Sequence, residues 1–131
     1  MRWPSRSPML SLLSPHREPP GSLIDTTPHE HAPGAVVYRY GVPGGNLLVT
    51  VWKEVVHEVI HQTPCHFEED SAARNRELFA HYGEGQQWVE ILDNGFGKTY
   101  RRQDQERYAL WSYTMDIVTF GTMAFHEVKW G

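Results

Sequence analysis

Five consecutive residues carry the sharpest chemical pattern in the chain: His57-Glu58-Val59-Ile60-His61. Two histidines four apart share one face of a helix. There both imidazoles could hold one zinc ion, while the glutamate after the first serves as general base on the metal-bound water. His57 and His61 are therefore candidate metal ligands, and Glu58 is a candidate catalytic base. A catalytic zinc site needs a third protein ligand. His66, Glu69, Glu77 and His81 follow, none at a spacing that singles it out. The competing reading, and the one favoured here, is a solvated polar helix face with no cofactor.

Other patterns are weaker. Gly95-Phe96-Gly97-Lys98-Thr99 ends like a phosphate-binding loop, but position 92, where the motif needs glycine, is Leu, so a helix C-cap and loop is the simpler reading. His29-Glu30-His31 could hold a metal only weakly. Lys98, Arg101, Arg102 and Arg107 form a local basic cluster beside Tyr100 and Tyr108, either a solvated loop or a contact for an acidic partner. Cys65 is the sole cysteine, which leaves no intrachain disulfide and suits a reducing, cytoplasmic setting; a small buried apolar role fits it better than a nucleophile's.

The elements expected to position these residues come from periodicity and turn signals. Residues 36–40 read as a short strand before the turn Gly41-Val42-Pro43-Gly44-Gly45. Over residues 47–60 apolar pairs recur every four positions: Leu47-Leu48, Val51-Trp52, Val55-Val56, Val59-Ile60. That is a helical face, capped by Asn46 and stopped by Pro64, although the valines keep a strand open over residues 47–62. Further helices are expected over 71–82 and 86–92, and strands over 108–113, 116–120 and 123–130. The fold class this gives is α+β. An antiparallel sheet, made of a C-terminal three-strand meander and a short N-terminal strand, carries two to three helices on one face.

Eight of the nine prolines precede residue 44, and residues 1–35 have little periodic apolar surface. They read as a Pro-rich arm, disordered or ordered against a partner, ahead of one domain at 36–131. Arg2, Arg6 and Arg17 with several serines and no acidic residue among residues 1–17 give that stretch a faint targeting character, against which Pro4, Pro8 and Pro15 argue. A net charge of −4 disfavours nonspecific nucleic-acid binding, and no apolar run is long enough to span a bilayer.

Two resemblances add expectations. The His57–His61 pattern is similar to the zinc-binding helix of zincin metallopeptidases, without the longer Gly and His signature of the metzincins. The order helix, helix, three strands over 71–130 resembles the unit of the SmpA/OmlA lipoproteins and the β-lactamase inhibitory protein. It rests on Trp88-Val89-Glu90-Ile91-Leu92 before Gly97-Lys98, then Leu110-Trp111-Ser112-Tyr113, then Ile117-Val118-Thr119-Phe120. That resemblance implies a protein-binding fold. The expected function is a non-enzymatic protein-binding or assembly subunit that holds a protein partner with the extended N-terminal arm, residues 1–35, and the small α+β domain; the alternative is a small zinc-dependent hydrolase.

Overall fold

The computed structural model describes residues 21–129. The basic N-terminal segment and Trp130 lie outside them. Among the described residues eight strands form one antiparallel sheet: β1 (Ser22–Pro28), β2 (Val36–Val42), β3 (Gly45–Trp52), β4 (Val55–Gln62), β5 (Trp88–Asp93), β6 (Gly97–Arg102), β7 (Arg107–Ser112) and β8 (Ile117–Thr122). Their order across the sheet is β1-β2-β3-β4-β8-β7-β6-β5, so two four-stranded meanders meet where β4 pairs with β8. Helix α1 (Glu68–Gly83) links the meanders, and the short α2 (Met123–His126) follows β8.

This corrects the expected fold class: the domain is β-rich, not α+β with two or three helices. The stretch read as a helix over 47–60 is the β3–β4 hairpin, paired from Asn46–Gln62 to Trp52–Val55. Its turn places Lys53 and Glu54 at φ 53° and 63°. This is left-handed backbone that hairpin turns usually fill with Gly or Asn, so the sequence gives no turn signal there. The repeated valine pairs follow β preference, which outweighs the apparent period of four. The helix expected over 86–92 is strand β5, and the strand expected from 123 begins instead as α2, where the Thr122 hydroxyl caps by accepting from the Phe125 N–H at 3.2 Å. The sheet also starts earlier than residue 36, because β1 pairs with β2 from Ser22–Gly41 to Pro28–Val36.

Helix α1 contains the residues expected to be helical. Glu68, Glu69 and Asp70 occupy its first turn, and Arg107 and Arg102 donate to the Tyr82 carbonyl near its C-terminus at 2.7 and 3.2 Å. Both ends thus suit the helix dipole. Leu78, Phe79 and Tyr82 pack onto one face of the sheet, whose rows Tyr38-Val49-Val59-Phe120-Ala109-Tyr100 and Tyr40-Leu47-His61-Val118-Trp111 run straight across the strands. The Tyr82 ring stacks on Phe120 with centroids 4.1 Å apart. Asp116, in the β7–β8 turn, pins the middle of α1: it accepts from Arg74, from Ser71 Oγ at 2.7 Å, from the Cys65 N–H at 2.9 Å and from Trp111 Nε1 at 3.1 Å.

A smaller core closes the other side of one sheet end. Ala32 and Ala35 of the β1–β2 connection and Phe125 of α2 are buried there, with Trp52 packed against them. The connection is tied by His29, whose Nδ1 accepts from the backbone N–H groups of His31 and Ala32, both at 3.1 Å.

Candidate functional site

Strand geometry decides where the His-Glu-x-x-His residues point. Directly paired residues of neighbouring strands share a face. Glu58 pairs with Thr50 and Gly121 on the face opposite α1, whereas His61 pairs with Leu47 and Val118 on the α1 face. A bulge opposite Thr50/Val51 makes His57 the extra residue of β4. It turns into the small core, buried against Trp52 and stacked on Phe125 at 5.6 Å, with Nδ1 2.8 Å from Thr122 Oγ1. Burial pushes the His57 imidazole below its ordinary pKa, against a bond to the Trp52 carbonyl that acts the other way. His61 Nε2 lies 2.8 Å from the Tyr82 hydroxyl. The three motif residues therefore serve three separate neighbourhoods, and among the described residues no group of three or more His, Cys, Asp or Glu is placed to hold a metal ion.

The remaining sequence candidates also separate. Arg102 and Arg107 are buried under the C-terminal end of α1, Arg102 clamped by Asp104 and Arg107 within reach of Glu84. Lys98 pairs across strands with Glu90 at 3.0 Å, and Arg101 lies on the opposite face. The basic cluster is thus split between two faces of β6 and β7. Gly95 takes φ 85° in the β5–β6 turn, closed by Asn94 Oδ1 accepting from the N–H groups of Phe96 and Gly97. The residues resembling a phosphate loop are a hairpin turn and the first three residues of β6.

Two surface features that sequence reading missed lie on the face away from α1. Its rows run Thr27-Val37-Thr50-Glu58-Gly121-Tyr108-Arg101-Val89 and Arg39-Leu48-Ile60-Thr119-Leu110-Thr99-Leu92. Over the β1 to β4 half lies a groove of about 520 Å³, overhung by residues 28–31 and floored by Val37, Leu48, Thr50, Glu58 and Ile60. Within it Glu58 is fixed: Oε1 accepts from Thr50 Oγ1 at 3.2 Å and Oε2 from the Tyr108 hydroxyl at 2.9 Å.

The second feature is the free edge of β5. Val89, Ile91 and Leu92 are each more than half exposed, as is Phe96 in the adjoining turn, and Leu110 two strands inward is also exposed. Val89 and Leu92 share the face away from α1, and Ile91 is the extra residue where the β5–β6 register shifts, so the exposed aliphatic side chains cluster on this edge. The only signal in the sequence was the β-branched and aliphatic run itself, which also fits a short helix.

Comparison with family models, with curated proteins and with solved structures gives no match for the chain.

Proposed function

We propose that the protein is a non-enzymatic protein-binding module that docks a partner along the exposed edge of β5. One observation carries this reading: a terminal strand, unpaired on its outer side among the described residues, presents Val89, Ile91 and Leu92 to solvent with Phe96 beside them. An extended partner segment added there would satisfy the outer backbone groups and cover the aliphatic side chains together. Glu90 and Asp93 on the same strand would disfavour a strongly acidic partner. The zinc hydrolase reading has no comparable support, since His57 and His61 turn to different partners.

The test compares the full chain with Val89→Lys/Leu92→Lys in affinity capture and then in titration against the protein captured. A partner held by wild type and lost by a variant with an unchanged thermal midpoint supports the reading. Equal binding by both chains would remove β5 from it.

A further inference from the structure

The groove over Glu58 lies on the other half of the same face, four interstrand steps from β5. We propose that it docks an extended segment of a partner protein carrying an arginine or lysine next to an aliphatic residue. The β5 reading is not a premise of this proposal.

Charge complementarity selects the cation. Among the described residues the lining holds two carboxylates, Glu58 on the floor and Glu30 on the rim, and no lysine or arginine. The neighbouring guanidinium on this face, Arg39, is already engaged by Asp25 through both Nε and Nη2. Glu58 is also pre-oriented. Each of its oxygens accepts one hydrogen bond from the domain's own hydroxyls, Thr50 and Tyr108, and keeps a further lone pair for an incoming N–H. A cation binding there gains charge-assisted hydrogen bonds without having to order the carboxylate first.

Shape selects a segment over a free amine. The lining runs from Thr27 on β1 to Glu58 on β4, three interstrand gaps or roughly 14 Å, the length of about four extended residues. Val37, Leu48 and Ile60 make the floor between the carboxylates apolar, which suits the stem of a long basic side chain and an aliphatic neighbour. The overhang is held in shape by His29, whose ring packs edge-on against Phe125 while Nδ1 receives two backbone N–H groups. In the neutral ring the proton therefore sits on Nε2.

The probe is the blocked tetrapeptide acetyl-Leu-Arg-Leu-Ala-amide, followed by amide shifts of the full chain in nuclear magnetic resonance, beside the same peptide with Gln or Glu in place of Arg. The expected result is that the Arg peptide moves Thr50, Glu58 and Ile60, binds about tenfold more tightly than the Gln peptide, and weakens in high salt. Glu58→Gln should lower its affinity about tenfold, Glu30→Gln, an exposed rim change that leaves folding alone, should lower it by less, and Val89→Lys should leave it unaltered. Equal affinity for Arg and Gln peptides, shifts confined to residues outside the groove, or full binding by Glu58→Gln and Glu30→Gln would each overturn the proposal.

Discussion

Tyr108 reaches Glu58 across a bare position on the strand between them. Gly121 of β8 pairs with Glu58 on one side and with Tyr108 on the other, and the Tyr108 ring occupies the space where a Gly121 Cβ would stand. The phenol crosses β8 and donates to Oε2 from 2.9 Å. Burial first, and then the adjacent Glu58 charge, push the Tyr108 pKa upward, so the hydroxyl keeps its proton and remains the donor.

Gly121→Ala should therefore be costly although it adds one methyl group. The new Cβ would meet the Tyr108 ring, which is buried and also packs on His126 of α2 at 4.6 Å. Overpacking of this kind costs about 1–3 kcal/mol. Urea denaturation should show the loss, and Gly121→Ala combined with Tyr108→Ala should cost less than the sum of the single changes. A wild-type midpoint for Gly121→Ala would contradict the placement of Tyr108.

Stability should fall on mild acidification because of His57. Its ring titrates below the ordinary value of 6.5 in the folded protein and near that value in the unfolded chain, so between the two unfolding takes up a proton. The contribution is complete above about pH 6.5 and is lost as the pH drops toward the folded value, at no more than about 1.4 kcal/mol per pH unit. Unfolding free energies at about pH 7.5 and about pH 5 should differ in wild type and differ less in His57→Gln. An equal difference in the two chains would exclude His57 as the source.

Asp116 acts in the same direction along the pH scale, in a more acidic window. Its burial would raise the pKa, but the Arg74 guanidinium, the Cys65 N–H, Ser71 and Trp111 together hold the carboxyl well below the usual carboxylate range. The stability it contributes is present above its unfolded value of 3.8 and lost as pH falls through the folded value. Both members of the Arg74–Asp116 pair are largely buried. Asp116→Asn should then cost about 3 kcal/mol near neutral pH, since it leaves the Arg74 charge uncompensated. Matched urea curves would show this, and a cost below about 0.5 kcal/mol would mean that the pair is not holding α1.

The strand geometry of His57 and His61 makes a prediction about metal. Elemental mass spectrometry of untagged protein should give the same zinc content for wild type and for His57→Ala, because the imidazoles already serve Thr122 and Tyr82. One equivalent in wild type that disappears in the variant would restore the hydrolase reading.

How much of this was legible varies with how local the signal is. The strand at 36–40, the helix at 71–82 and the strands at 108–113 and 116–120 follow from neighbours in sequence, and β2, α1, β7 and β8 stand there. What was lost depended on partners far along the chain. Valines of the β3–β4 hairpin fall into apolar pairs because β3 has a core face and β4 carries a bulge, and the Lys53-Glu54 turn offers no glycine to mark the break. Strand β6 is polar in sequence because Lys98 answers Glu90 on β5, a pairing that only the register reveals. Strand β1 was hidden by the prolines around it, yet Pro28 ends that edge strand, where a missing N–H does no harm. The groove escaped notice for the same reason: Thr50, Glu58 and Tyr108 are brought together only by sheet order.

The seam between the two meanders sets how the chain can come together. Pairs Glu58–Gly121, Val59–Phe120, Ile60–Thr119 and His61–Val118 join residues roughly sixty positions apart, while every other strand pairing among the described residues is a local hairpin. Each half can form from nearby residues, but the closure that unites them bears most of the loop entropy and should limit the refolding rate. It follows that the covalent link at residues 63–67 is dispensable in principle: two separately made polypeptides, cut there, would carry complementary edges and reassemble as one sheet at a rate set by their concentrations.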